Sequence, residues 1–264
     1  MDLDGKKMVI TGAASGIGKC LMRELSQCAG QLVVADIDAA ALQEAESSPG
    51  MGKALLHPFV GDLSRQQCLD DLFTFCMEKM QGIDIFIANA GFAFIERIEK
   101  ADWEHIEDIF RLNVFSPIYS LEKMAELHPG SDFGMVITSS ALGRIALDGY
   151  SLYASTKAAL DRFADGYRRQ MGNNAKLLLA YPLATRSNFY RSAGGAPIPW
   201  PSQTPEQVAR AIVRGMMRDR EEIYASTTLR LMLATGYILP FTNRLYQHME
   251  SFRFQRWIKA AAKT

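Results

Sequence analysis

Short apolar runs alternate with stretches whose apolar residues recur at helical spacing, and this alternation carries through most of the chain. Met8-Val-Ile10 is the first short run, and a helical pattern follows from about Ile17 to Cys28. Gln31-Leu-Val-Val-Ala35 reads as a second buried strand, Ala39 to Glu46 as a short helix, Ser47-Ser-Pro-Gly-Met-Gly52 as a loop, and Ala54 to Val60 as a third strand. A helix from about Ser64 to Met80 precedes Ile83-Asp-Ile-Phe-Ile-Ala88, a nearly continuous apolar run of the kind buried on both faces of a sheet. A long helical region spans about 101 to 127, Met135-Val-Ile-Thr138 is a fifth strand, and a second long helix covers about 150 to 172. Ala175 to Ala180 is a sixth strand. Thr204-Pro-Glu-Gln207 then opens a helix to about Met217, with Thr204 as N-cap and Pro205 at the first helical position, and Ile223-Tyr-Ala225 is a seventh strand. The pattern predicts an α/β fold, a doubly wound parallel sheet with helices on both faces.

Composition narrows the class. Hydrophobic residues make up 48% and charged residues 22% of 264 positions, which predicts a soluble globular protein with a sizeable core in one domain. The formal net charge is zero, so nothing global points to nucleic acid. Charge is unevenly spread, however: from Thr228 onward Arg230, Arg244, Arg253, Arg256, Lys259 and Lys263 face only Glu250. Cys20, Cys28, Cys68 and Cys76 show no Cys-x-x-Cys spacing and read as reduced packing residues. His57, His105, His128 and His248 are too scattered for a ligand set, so no metal site is expected. The N-terminus runs into a strand without an apolar leader, which leads to the expectation of a cytoplasmic protein with no signal peptide.

Candidate chemistry begins at Tyr153 and Lys157, which share one helix face because they are four residues apart. A phenol titrates near pH ~10, and a fixed cation beside it stabilises phenolate and moves it toward the working range of a general acid or base. Ser140 could then hold an alcohol or carbonyl oxygen beside the phenol. The same pair also occurs on ordinary amphipathic helices, so alone it leaves both readings open. Thr11-Gly-Ala-Ala-Ser-Gly-Ile-Gly18 lies between strand and helix, the context of a phosphate-binding turn. Gly12 permits the tight turn, Gly16 lets the backbone approach a pyrophosphate, and Gly18 allows close packing. Asp36 ends the second strand, where a carboxylate accepts from both hydroxyls of an adenosine ribose and repels a 2′-phosphate. Neither Ser15 nor Ile37 offers a cation for that phosphate, so NAD is favoured over NADP. Asp62, followed by Leu63, either caps the next helix or meets the adenine amino group. Asn89-Ala90-Gly91 ends the fourth strand, and Ser139 and Ser140 end the fifth, at the sheet edge where such folds bind ligands. Asn113, in a helical region, reads by default as a solvated or locally bonded residue.

Taken together, the glycine turn, Gly61-Asp-Leu, Asn89-Ala-Gly, Leu112-Asn-Val, Ser139-Ser-Ala-Leu-Gly143 and Tyr153-Ala-Ser-Thr-Lys157 resemble the motifs of the short-chain dehydrogenases/reductases in order and spacing. The resemblance covers roughly residues 5 to 190. It implies a single Rossmann-like domain with about seven parallel strands, and a catalytic tetrad falling on Asn113, Ser140, Tyr153 and Lys157. In that pattern Tyr153 exchanges the proton and Ser140 orients the substrate oxygen. Lys157 lowers the phenol pKa and holds the nicotinamide ribose, Asn113 positions a water leading to solvent, and Ser139 lines the cofactor. It also implies a homodimer or homotetramer. One departure stands out. The family has Pro-Gly and then a Thr after the sixth strand, where this chain has Pro182-Leu183 and Ser187; the main-chain contact to a carboxamide is expected near Thr185, with its geometry open.

Substrate recognition is expected from 92–94, 141–150 and a lid over 186–203 that is rich in Pro and Gly and carries Phe189, Tyr190, Ile198 and Trp200. These favour a lipophilic alcohol or ketone. Arg144, Arg186 and Arg191 offer an alternative anion contact, although a solvated surface is the expected role of each. The expected division is a catalytic domain over 1–227 and a basic, apolar helical extension over 228–264. That extension is too short and interrupted to span a bilayer; it packs over the cleft or a subunit interface, or else makes a peripheral membrane contact. The reading is an NAD(H)-dependent alcohol/ketone oxidoreductase, with an NADPH-linked carbonyl reductase or a nucleotide-binding regulatory or membrane-associated protein as rivals.

Overall fold

The computed structural model describes residues 1–171 and 175–261; the side chain of Arg191 and Lys263 of the basic tail fall outside what is described. Seven parallel strands form one sheet in the order β3-β2-β1-β4-β5-β6-β9. They are β1 (Lys7–Thr11), β2 (Gln31–Asp36), β3 (Leu55–Val60), β4 (Ile85–Ala88), β5 (Phe133–Thr138), β6 (Ala175–Tyr181) and β9 (Glu222–Tyr224). A small separate pair, β7 (Ala184–Thr185) and β8 (Ser202–Gln203), lies beyond β6. The central strands are apolar on both faces because both are covered, and every residue of β4 and β5 is buried. β3 contains Pro58, which cannot donate to a ladder on its second side, and it sits accordingly at the sheet edge with a half-exposed pattern.

Two helical layers sandwich this sheet. On one face α1 (Gly16–Leu25), α2 (Ala39–Glu46) and α8 (Pro205–Met217) bury Leu21, Met22, Leu25, Leu42, Ile212 and Met216. On the other, α3 (Gln66–Met80), α5 (Ser116–Leu127) and α6 (Ser151–Arg168) bury Leu72, Phe73, Met80, Leu121, Met124 and Leu160. Cys20 and Cys76 are buried and all four cysteines are free; burial pushes the Cys20 thiol up to about 11 and the Cys76 thiol up to about 12, so they act as packing groups. The order of strands reverses between β1 and β4, which places a crevice at the C-terminal ends of these strands.

The expected long helix over 101–127 is three pieces: α4 (Trp103–Phe110), a π-helical turn (Arg111–Phe115) and α5. Pro117 supplies the reason. An α-helical ladder would take the N–H of residue 117 to the carbonyl of Asn113, and proline has no N–H, so the ladder widens at this point. Asp62 does not cap α3, which starts at Gln66 with Arg65 at the cap position; the Asp62 carboxylate instead accepts from the Ser64 backbone N–H at 3.1 Å and its hydroxyl at 2.6 Å. Beyond β9 the chain forms α9 (Thr227–Ile238) and α10 (Pro240–Ala261), and no helix among the described residues is long and apolar enough to cross a membrane.

Candidate active site

The C-terminal ends of β1, β4, β5 and β6 open into a cleft of about 760 Å³. Its walls include Gly12, Ser15, Gly16, Ile17, Asp36, Ile37, Asp62, Leu63, Asn89, Ala90, Gly91, Ser140, Tyr153, Lys157, Pro182, Thr185 and Ser187, every residue expected at the site except Gly18 and Asn113. Both of those stand just behind it. A Cβ on Gly18 would lie 1.8 Å from the Gly12 carbonyl oxygen, so the turn and the helix touch backbone to backbone there. Asn113 accepts from the Phe92 N–H at 3.0 Å and donates to the Phe92 carbonyl at 2.9 Å and to the Thr156 hydroxyl at 3.2 Å. Its side chain is thus buried and committed to holding the loop after β4, which replaces the solvated role read from the sequence by default.

One chain of hydrogen bonds ties the strand ends together. The Thr11 hydroxyl accepts from the N–H groups of Asn89 and Ala90, both at 3.0 Å. The Asn89 amide donates to the carbonyls of Thr11 and Gly12, and its oxygen accepts from the Thr138 hydroxyl at 3.1 Å. Lys157 completes the series by donating to the Thr138 carbonyl at 2.8 Å. Thr11 and Thr138 went unremarked in the sequence, although each ends a strand beside a motif.

Tyr153 and Lys157 come together on the buried face of α6, with the ammonium 5.6 Å from the phenol ring centre. Burial pushes the Tyr153 phenol up to about 12, opposed by a hydrogen bond with Ser140. Burial also pulls the Lys157 ammonium down to about 8, opposed by the charge of Asp161. In the protein alone, desolvation is the leading cause of both shifts, and both groups move toward their neutral forms. Ser140 accepts from the Leu142 N–H at 3.1 Å, which fixes the serine at the start of a short 3₁₀ turn (Ala141–Gly143). The Ser139 hydroxyl points away, donating to Asp161 at 3.0 Å.

Arg144 corrects an expectation. It sits at the surface, but its guanidinium is already engaged and awaits no further anion: it pairs with Asp161 at 2.9 Å and with Glu222, and donates to the hydroxyls of Tyr181 at 2.8 Å and Tyr224 at 3.2 Å. Arg186 is exposed and donates to the Ser202 hydroxyl. The departure at Leu183 is absorbed by packing. Leu183 is buried in the core, and Gln203 takes its N–H at 3.1 Å while donating to the Ala225 carbonyl at 2.8 Å, which holds β7 beside β8.

The segment 186–203 is folded over the cleft, with Tyr190, Ala193 and Ala196 buried; Phe189 and Tyr190 line the cleft, whereas Trp200 is exposed. α10 closes the same end. Its Phe254 is buried, Trp257 and Tyr246 pack into that apolar cluster, and Gln247 and Ser251 bond to Ala146 and Asp148. Tyr246 reaches the cleft wall from about a hundred residues away in sequence, and no motif marks it.

The opposite end fits a dinucleotide. Ser15 makes no capping bond to α1, whereas Asp38, Asp102 and Thr204 cap α2, α4 and α8 through their side chains. The first N–H groups of α1 thus face the cleft without a side-chain cap, beside Gly16 at φ +53°, where a Cβ would meet Ser187 alone. Asp36 accepts from the Ala14 N–H at 2.9 Å and the Asp38 N–H at 3.2 Å, and a carboxylate has further lone pairs for a ribose. Arg65 also lines this end, with its Nε on Asp62 at 3.2 Å, a cation the sequence reading had not placed there.

Comparison with known proteins fits this geometry, and the family profile of short chain dehydrogenases matches residues 6–191. The chain belongs to the short-chain dehydrogenase family. This short-chain dehydrogenase is 24% identical over 244 residues to "Estradiol 17-beta-dehydrogenase 11" of Mus musculus, covering 89% of this chain and 80% of that protein. Its fold matches a short-chain dehydrogenase/reductase of Burkholderia phymatum in complex with NAD, with a TM-score of 0.78, 19% identity and coverage of 90% and 96% of the two chains. It also matches a short-chain dehydrogenase of Sphingobium yanoikuyae in complex with NADPH, with a TM-score of 0.76, 22% identity and coverage of 89% and 94%. As a short-chain dehydrogenase it is an oxidoreductase acting on an alcohol or ketone with a nicotinamide dinucleotide.

Proposed function

We propose that the protein is an NAD(H)-dependent oxidoreductase interconverting a lipophilic secondary alcohol and its ketone. The observation that carries the proposal is the buried Tyr153, Ser140 and Lys157 grouping at the point where an apolar chamber meets a cleft with a glycine turn and Asp36 at its far end. When bound, the nicotinamide dinucleotide supplies or takes the hydride. The chain's own residues do the rest. Ser140 orients the substrate oxygen, and Tyr153 exchanges its proton with that oxygen. Lys157 holds positive charge beside the phenol, and Asn113 braces the loop at Phe92 that bounds the chamber. Phe189, Tyr190 and α10 exclude water, which strengthens every polar contact inside.

Asp36 supports NAD, because a second anion on the ribose would meet its carboxylate. The NADPH-linked alternative draws on Arg65 at the same end of the cleft. The Mus musculus relative, whose name specifies estradiol, supports a lipophilic alcohol as substrate. A homodimer or homotetramer and a catalytic unit over 1–227 with an extension over 228–264 belong to the same proposal. So does a peripheral membrane contact: Phe241, Leu245 and Phe252 are exposed along α10, near Arg244 and Arg256.

The test is turnover of a graded series of secondary alcohols with NAD⁺ and with NADP⁺, using Tyr153→Phe as control. The proposal expects turnover to rise with apolar size, to favour NAD⁺, and to vanish in the variant while NADH binding persists. A variant that turns over normally, or a wild type that binds NADH without oxidising any alcohol while another function survives in Tyr153→Phe, would favour a nucleotide-binding regulator instead.

A further inference from the structure

Tyr150 precedes the first turn of α6 and is only 4% exposed. Its phenol oxygen is fully buried and has no hydrogen-bond partner among the described residues. A buried hydroxyl without a partner costs about 1–3 kcal/mol, a cost that phenylalanine at this position would avoid. The phenols of Tyr153, Tyr190 and Tyr246 lie nearby without bonding to it, and the charged neighbours Glu250 and Arg253 are engaged with each other. Glu250 accepts from Arg253 at 2.7 Å and from the Trp200 N–H at 3.3 Å, and Arg253 also donates to the Ile198 carbonyl at 3.1 Å. A hollow on the side of Tyr150 nearest this pair has a volume of about 10 Å³, at the lower limit for one water molecule. The larger space that Tyr150 lines is the cleft itself, where Phe92, Leu147 and Phe189 form apolar wall and Tyr153 is a fellow lining residue.

We infer that Tyr150 is a substrate-recognising residue whose hydroxyl bonds to a second oxygen on an otherwise apolar, ring-bearing alcohol or ketone. The inference rests on the alcohol–ketone reading of Tyr153 and specifies its substrate class: lipophilic compounds with two oxygens, one reacting at Tyr153 and one held at Tyr150. Burial pushes the Tyr150 phenol well above its ordinary value, so it stays protonated and offers a donor as well as an acceptor at any working pH. An apolar chamber holding one polar group of this kind discriminates strongly, because a substrate lacking the matching oxygen leaves the hydroxyl unpaired.

Matched pairs of cyclic secondary alcohols, one with a second hydroxyl and one without, test this when the spacing between oxygens is scanned from a single ring to several fused rings. Affinities are read by titration calorimetry on the full-length protein with NADH present, and oxidation of the same compounds is followed in parallel. At one spacing the diol binds the wild type about tenfold more tightly, equivalent to about 1.4 kcal/mol, and the ratio falls to about one in Tyr150→Phe. The difference appears in KM rather than kcat. Equal affinity for both members at every spacing in the wild type overturns the inference, as does a ratio that survives in Tyr150→Phe. A ratio that is present and lost as expected, with neither compound oxidised, upholds the binding site and overturns the dehydrogenase reading alone.

Discussion

Lys157 should make stability depend on pH in a way that its replacement by methionine removes. The side chain is 4% exposed, donates to the Thr138 carbonyl at 2.8 Å, and has as its nearest acidic neighbour an Asp161 already engaged by Arg144 and Ser139. Burial pulls its pKa from 10.5 to about 8. Between those values the unfolded chain carries a proton that the folded chain has released, so unfolding becomes less favourable as pH rises through this window. At 1.36 kcal/mol for each pKa unit, the folded wild type gains about 3 kcal/mol relative to Lys157→Met between pH ~8 and pH ~10.5. Below pH ~8 both states hold the proton and the difference is flat. Methionine also loses the bond to Thr138, which offsets the two curves at every pH without changing their slopes. The Tyr153 phenol, raised to about 12 by burial, stays protonated in both folded proteins over the range assayed and cancels. Urea unfolding of the two proteins at intervals from about pH 7 to about pH 10 reads the effect directly. A difference in unfolding free energy that stays constant over that range would refute the reasoning, because it would mean that Lys157 titrates in the fold as it does in water.

Other substitutions follow from contacts. Gly18→Ala places a Cβ against the Gly12 carbonyl, a backbone atom that cannot move without opening the turn, so stability should fall by about 1–3 kcal/mol and NADH affinity at least about tenfold; a fluorescence titration matching wild type contradicts this. Arg144→Met leaves the buried Asp161 carboxylate without its cation, and the loss should reach about 3 kcal/mol in urea unfolding; a loss below about 1 kcal/mol would mean the pair is solvated. Deleting the residues after Thr228 should weaken binding of apolar alcohols, since α10 closes their chamber, and should lower recovery with anionic lipid vesicles if the exposed stripe of α10 meets a membrane. Unchanged values in both assays would remove α10 from either role.

The strands and their order of use were legible because doubly covered strands read as unbroken apolar runs, as in Ile85 to Ala88. Glycines and strand ends located the cleft for the same reason: local backbone demands are written locally. The break at Asn113 was legible in principle, since Pro117 lies four residues on, but a helical apolar pattern tolerates that proline and hid the π turn. Arg144 was out of reach. Its partners Asp161 and Glu222 are distant in sequence, and only the pairing of β6 with β9 brings them together. The same holds for α10: Tyr246 and Phe254 have the look of a greasy tail until the loop at Ala146 to Gly149 gives them a surface to close. At Tyr153 a cation can be placed from spacing alone, whereas the burial that raises its phenol depends on the whole chamber and was not legible.

The central claim is that an alcohol is oxidised by hydride transfer beside Tyr153. The most direct measurement supplies NAD⁺ and an apolar secondary alcohol carrying deuterium on its carbinol carbon, and follows the mass of the reduced cofactor in wild type and Tyr153→Phe. The account predicts that the wild type yields cofactor heavier by one deuterium together with the ketone, and that Tyr153→Phe yields neither while still binding NADH. Unlabelled reduced cofactor, or label transferred equally well by Tyr153→Phe, would contradict it.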